Sequence, residues 1–130
     1  MERKTEKQIS LVFEKYPKIK LAYIFGSRAR GDFGPLSDFD FAFYTTEKDK
    51  KKIFDTRLKL MTDLSLLLKS DNVDVVALNT IENSELKYNI INEGKLLLEK
   101  EPHKILVETR IMNEYFDFQM SLALNSVKAG

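Results

Sequence analysis

The stretch that most constrains this chain is SDFDFAF, residues 37–43, in which two acids alternate with phenylalanines. Successive side chains of a β-strand point to opposite faces, so the three phenylalanines would share one face of a strand. Asp38 and Asp40 would then project from the other face, with their Cα atoms about 7 Å apart. A buried carboxylate without a partner is costly. The pair is therefore expected to bind a cation, to pair with arginine, or to face solvent on an edge strand.

A turn upstream of these acids has the composition of an anion-binding site. Gly26 and Ser27 follow residues 21–25, an apolar run that predicts a short buried strand. We expect Ser27 to be the N-cap of a brief helical turn over residues 28–30, and Gly31 to close that turn.

The chemistry of such a turn suits a phosphate group. Backbone N–H groups at a helix start point toward an anion, and glycine lets the backbone approach it closely. The Ser27 hydroxyl can donate to a phosphate oxygen, and Arg28 and Arg30 add local positive charge. A plain helix cap or hairpin is the alternative interpretation of the same residues. No P-loop motif is present.

A third acid, Asp74, interrupts the apolar run VDVVAL at residues 73–78. If the strand predicted there neighbours the strand over residues 37–45, Asp74 lies beside Asp38 and Asp40. Three carboxylates together with triphosphate oxygens would suit two hard cations such as Mg²⁺. The alternative is an exposed residue at the start of a strand.

The remaining elements follow from apolar periodicity and from Gly and Pro positions. Helices are predicted over 5–16, 53–68, 84–92 and from 102 toward 126, a strand over 95–99, and a loop over 32–35. Together with the three segments above, this order is typical of an α/β or α+β domain, with a small mixed sheet flanked by helices. The last predicted helix is apolar on more than one face, so it is either buried or an interface.

Bulk properties narrow the class of protein. The chain has 130 residues, which suits one domain over 1–130, and a formal net charge of +1. We therefore expect no stable binding to nucleic acids or membranes. The chain has no cysteine, which excludes thiolate chemistry. Its charged N-terminus lacks the apolar core of a signal peptide, so a cytoplasmic location is expected.

The spacing of these motifs resembles that of a known family. Ten residues separate Gly26-Ser27 from Asp38-Phe39-Asp40, as in nucleotidyltransferases of the DNA polymerase β-like superfamily. The segments GSRARG and SDFDF look most like the minimal nucleotidyltransferase (MNT) domains of prokaryotes. Softer matches in VDVVAL, NEGKLLLE and YFDF extend the resemblance over roughly residues 8–120.

The resemblance implies a polymerase β-like fold and transfer of AMP from ATP, with two Mg²⁺ ions. By position, Gly26 and Ser27 would hold the triphosphate, with Arg28 and Arg30 as our own additional contacts. The three acids Asp38, Asp40 and Asp74 would ligate the metals, and Asp74 would help to deprotonate the acceptor hydroxyl.

A partner is implied as well. MNT proteins are typically antitoxins of HEPN-type RNase toxins, and members of the class AMPylate a tyrosine of that toxin. The resemblance therefore implies a hetero-complex with a HEPN toxin, and self-association into a homodimer is possible in addition.

Three other functions fit parts of the pattern. A non-catalytic antitoxin would neutralise its toxin by binding alone and would not need Asp38, Asp40 and Ser27. A nucleotidyltransferase for a small molecule such as an aminoglycoside fits the motif but would lack a substrate-binding domain. A glycosyltransferase that uses Asp-x-Asp for a nucleotide sugar would leave the Gly26-Ser27 turn unexplained.

Overall fold

The computed structural model describes residues 1–31, 34 and 38–129. Its helices are α1 (Arg3–Glu14), α2 (Ser27–Arg30), α3 (Lys50–Leu68), α4 (Ser84–Glu93) and α5 (His103–Ala129), and its strands are β1 (Ile19–Phe25), β2 (Phe39–Thr45), β3 (Val73–Ala77) and β4 (Lys95–Glu99). No helix within these ranges is long and apolar enough to span a bilayer.

The four strands form one mixed sheet in the order β3-β2-β1-β4. Strand β1 pairs antiparallel with both β2 and β4, whereas β2 and β3 run parallel. The predicted class, a small mixed sheet flanked by helices, is confirmed. The parallel step is possible because α3 crosses from the end of β2 to the start of β3 and packs against β3.

Strand β2 divides the core as the alternation of its residues predicts. Phe41 and Phe43 are fully buried, and Phe39 packs beside them, on the face covered by α1 and α3. Ala42 and Tyr44 lie on the other face, in a second cluster with residues of α4 and α5. Each face of the sheet therefore has its own helical layer.

Two predicted boundaries differ from the structure near the candidate site. Asp38 precedes β2, which begins at Phe39, so only Asp40 of the two acids is a strand residue. The N-cap of α2 is Gly26 and not Ser27, because the chain turns at Gly26 with a φ of 76°, and Ser27 already belongs to the helix. Gly31 closes α2 in the left-handed conformation, as predicted. Most of the loop predicted over 32–35 lies outside the described residues.

The last helix was expected to be either buried or an interface. Among residues 103–126 of α5, for which burial is described, only Val107 and Ile111 are buried, and they contact the second cluster. Most of the other apolar residues of this helix are exposed, so burial in the core explains only a small part of its composition.

Gly94, which joins α4 to β4, is expected to be intolerant of a side chain. A Cβ at this position would lie 2.2 Å from the carbonyl oxygen of Ile90 and 3.2 Å from that of Ile24, and backbone atoms cannot yield cheaply. Gly94→Ala should therefore lower the free energy of unfolding by about 2 kcal/mol or more, measured by urea denaturation. Gly34→Ala is the control, since no described residue lies within 4 Å of its Cβ position. Equal stabilities of the two variants would contradict this account.

Candidate active site

The turn after β1 lies directly against the acid of β2. Phe25, the last residue of β1, is paired with Asp40 across the antiparallel ladder. The chain then turns at Gly26, where a Cβ would lie 2.7 Å from the Oδ2 atom of Asp40. Only glycine satisfies both the positive φ and this close approach.

The third predicted acid lies on the other side of Asp40. In the parallel ladder between β2 and β3, Asp40 is paired with Asp74. Paired residues of neighbouring strands project from the same face of a sheet, so these two carboxylates are neighbours. The Gly26 turn, Asp40 and Asp74 thus form a row across β1, β2 and β3 at one end of the sheet.

The carboxylates influence one another electrostatically. The pKa of Asp40 is raised, first by partial burial and then by the negative charges of Asp38 and Asp74. Asp38 is exposed just ahead of β2, and Asp74 is also exposed. Three acids close enough for this repulsion are an unusual local concentration of negative charge in a chain of net charge +1.

A residue of α3 contacts the third acid and was not found by sequence reasoning. The Nε atom of Arg57 donates to the carbonyl oxygen of Val75 on β3, and its NH2 group lies 3.4 Å from Oδ1 of Asp74. Because β3 is an edge strand, the carbonyl group of Val75 has no neighbouring strand to bind, and Arg57 provides its hydrogen-bond donor. The same side chain also contacts one oxygen of Asp74. In the sequence Arg57 is one polar residue of a predicted helix over 53–68, which does not distinguish it from an ordinary surface residue.

The two arginines predicted as triphosphate contacts have other neighbours. The guanidinium carbon of Arg28 lies 3.9 Å from the ring centroid of Phe39, on the face of β2 opposite Asp40. Arg30 is within 3.8 Å of Glu93 at the end of α4. The structure therefore brings together the turn and the acids, and directs Arg28 away from them.

The donor set can be compared with what a divalent cation requires. Among the described residues, no three acid, histidine or cysteine side chains converge closely enough to hold a metal ion as they stand. The chemistry nevertheless fits Mg²⁺, because hard cations take carboxylate oxygens and the mutual repulsion felt at Asp40 would be relieved by positive charge. Asp38, Asp40 and Asp74 are the residues that would hold it.

Comparisons with known proteins identify the same family as the sequence motifs. Residues 7–103 match the family model described as polymerase beta, nucleotidyltransferase. The chain is 32% identical over 101 residues to a protein of Aphanizomenon flos-aquae named protein adenylyltransferase MntA, covering 72% of this chain and 67% of that protein.

Solved structures extend the similarity to nearly the whole chain. A toxin–antitoxin structure with AMP-PNP has a chain 26% identical to this one, with a TM-score of 0.74, covering 95% of this chain and 98% of that chain. A Shewanella oneidensis complex, described as a tri-AMPylated HEPN toxin with an MNT antitoxin, has a chain of the same fold. That chain is 23% identical, with a TM-score of 0.73 and coverage of 98% and 99%.

The close approach at Gly26 allows a direct test. Gly26→Ala would force the new Cβ against Asp40, in addition to straining a positive φ. Gly31→Ala is the matched control, because Gly31 also has a positive φ, 80°, but no described residue within 4 Å of its Cβ position. Both variants should lose about 1 kcal/mol of stability from backbone strain. Only Gly26→Ala should also lose AMP-PNP binding, by at least about tenfold in calorimetry, and equal affinities would refute the role of this approach.

The crowding of acids predicts a gain in stability on neutralisation. A raised pKa means that the charged form of Asp40 destabilises the folded state, so stability falls as pH rises through that pKa. Asp40→Asn should therefore be more stable than the wild type at pH 7 in EDTA, by less than about 1 kcal/mol because the site is partly solvated. The difference should shrink as the pH falls and Asp40 protonates. Urea denaturation at both pH values measures it, and a less stable variant at pH 7 would contradict the interpretation.

Proposed function

Because this chain belongs to the polymerase beta nucleotidyltransferase family, we propose that it transfers AMP from ATP to a hydroxyl group of a partner protein. Family membership and the enzyme class, nucleotidyltransferase, are as the Gly-Ser and Asp-x-Asp spacing predicted. The observation that carries the proposal is the turn at Gly26 packed against Asp40, with Asp74 paired beside it.

In the proposed mechanism the turn positions the nucleotide. The backbone N–H groups at the start of α2 and the Ser27 hydroxyl orient the triphosphate, as helix starts do for other phosphates. Gly26 lets phosphate oxygens come close to the backbone beside Asp40. Mg²⁺ held by Asp38, Asp40 and Asp74 would neutralise the charge that develops on the phosphates.

The transfer itself exchanges one phosphate ester for another. The acceptor oxygen forms a bond to the α-phosphorus in line with the bond that breaks, which is the one to the pyrophosphate leaving group. The acceptor hydroxyl gives up its proton, and Asp74 is the proposed recipient. Arg57 contacts Oδ1 of Asp74, so it restrains the orientation of that carboxylate and leaves Oδ2 for this task.

The donor and the acceptor are supported by the relatives. The name of the 32% identical protein, an adenylyltransferase, supports AMP as the transferred group, and the AMP-PNP structure supports ATP as its source. The acceptor that we propose is a tyrosine hydroxyl of a HEPN toxin, so that the chain acts as its antitoxin. A chain of similar fold is found with a tri-AMPylated HEPN toxin.

Label transfer tests the proposal. The purified chain, its candidate toxin and ATP labelled at the α-phosphate are incubated with Mg²⁺, and the products are separated on a denaturing gel. We expect a labelled toxin band with the wild type. With Asp38→Asn/Asp40→Asn the initial rate should fall by at least about 10³-fold, because the phosphates would no longer be neutralised.

The matched control is Glu14→Gln/Asp55→Asn, which removes two exposed acids of α1 and α3 away from the site and should leave the rate unchanged. Label on the toxin with both double variants would refute the assigned site. No label in any lane, together with full protection of cells by Asp38→Asn/Asp40→Asn, would instead show a non-catalytic antitoxin. Label on a small molecule alone would favour the aminoglycoside type of transferase.

A further inference from the structure

A small polar cavity lies between α5, the first turn of α4 and the end of β2. Its volume is about 190 Å³. Three basic side chains line it, from Lys48, Lys87 and Arg110, together with a single acid, Glu114. This cavity, named here the basic cavity, therefore has a net charge of +2 at neutral pH, in a chain whose total formal charge is +1. Positive charge is thus concentrated at one place in an otherwise balanced molecule.

Two of the three basic side chains are not neutralised. The acid is already engaged, because the Nζ atom of Lys87 lies 2.6 Å from Oε2 of Glu114. Lys48 and Arg110 form no ion pair with any other residue that the structure describes. Two like charges that line the same small cavity repel each other, and a bound anion would relieve that repulsion.

The wall of the basic cavity is held in place by hydrogen bonds. Asn79, in the turn after β3, donates from Nδ2 to the carbonyl oxygen of Thr45 at 2.8 Å, and its Oδ1 accepts from the N–H of Thr45 at 3.1 Å. This pair of bonds ties the end of β2 to the turn. Asn79 retains a second amide N–H, and Tyr44 brings a hydroxyl, so both lining residues can add neutral donors to the basic groups.

Size and charge together select the class of anion. Pockets for drug-sized ligands measure about 300–1,000 Å³, so the basic cavity suits a single polar group and not a whole nucleotide. A phosphate monoester carries about −1.5 to −2 charges at neutral pH, which matches the two unpaired cations, whereas a carboxylate carries only one. The guanidinium fork of Arg110 also fits two phosphate oxygens at once. A phosphate group therefore fits best.

The basic cavity is separate from the candidate active site. Tyr44 lies four residues beyond Asp40 on the same face of β2, so their Cα atoms are about 13 Å apart. None of the residues assigned to the nucleotide or to the metals lines the cavity. Residues of α4 and α5 pack on this face of the sheet as part of the second cluster.

We propose that the basic cavity binds a phosphate group, either inorganic phosphate or the phosphate monoester of a small molecule. Arg110 makes the bidentate contact, and Lys48 supplies the second unpaired charge from the loop before α3. Lys87 contributes from the inner wall, where its side chain is 13% exposed. This inference does not depend on the proposed transferase activity.

Titration of the full chain with phenyl phosphate tests the proposal first. The experiment is done in EDTA at low salt and followed by the NMR shifts of backbone amides, because phosphate can also contact the turn at Gly26 and Ser27. We expect a Kd of about 0.1–1 mM, with shifts at residues 44–48, Asn79 and Arg110. Shifts confined to the turn would overturn the proposal and leave the candidate active site intact.

A ligand with the same ring tests the charge match. Benzenesulfonate carries one negative charge where phenyl phosphate carries nearly two, so it should bind at least about fivefold more weakly. Equal affinities would refute selection of a phosphate group. Competition by inorganic phosphate and by AMP then identifies the source of the group, and displacement of phenyl phosphate by either one supports the site.

Substitution of Arg110 tests the main contact. Arg110→Gln should raise the Kd at least about tenfold, and Arg110→Lys about threefold, because lysine keeps the charge but not the planar fork. The matched control is Arg3→Gln, which removes an exposed arginine of α1, on the opposite face of the sheet. Equal weakening by Arg3→Gln and Arg110→Gln would show unspecific attraction of anions and refute the site.

A variant that should gain affinity excludes loss of folding as an explanation. Glu114→Gln removes the acid that holds Lys87, so the net charge of the basic cavity rises to +3. We expect phenyl phosphate to bind about threefold more tightly to this variant. Unchanged or weaker binding would contradict the proposed role of the cavity charges.

Discussion

The site depends on one register, the antiparallel pairing of β1 with β2 that sets Phe25 opposite Asp40. This register places the backbone of Gly26 against the carboxylate of Asp40, so close that residue 26 has no room for a side chain. A shift of one residue would turn Asp40 to the opposite face and place an aromatic ring under the turn. The buried phenylalanines on the opposite face resist such a shift, because it would move them out of the core that they form with α1 and α3.

The same register concentrates like charges, and the fold tolerates this at a cost in stability. The pKa of Asp40 is raised by burial and by its acidic neighbours, so the ionised site opposes folding when no cation is present. Arg57 offsets part of the repulsion through Asp74 while it also binds the edge of β3. Sites that bind phosphates and metals commonly keep such repulsion, because the ligand relieves it.

Much of the arrangement of the site could be predicted from local sequence patterns. The alternation around Asp38 and Asp40 predicted the two faces of β2, and the spacing from Gly26 predicted the family. The boundary at Ser27 was wrong by one residue, because the sharp turn requires the positive φ that glycine adopts, which favours Gly26 as the cap. The contacts of Arg28 with Phe39 and of Arg57 with Val75 could not be predicted. In each case the two residues are distant in sequence, and only the packing of the chain brings them together.

The sequence by itself determined the elements, the two faces of the sheet and the identity of the acids, because hydrophobic period and turn chemistry are local properties. It also placed Gly26 and Asp40 at a spacing typical of nucleotidyltransferases. Only the tertiary structure decided that Asp74 pairs with Asp40 and that Lys48, Lys87 and Arg110 line one cavity. Strand order and burial are decided by which surfaces the whole chain can cover, and no single segment contains that information.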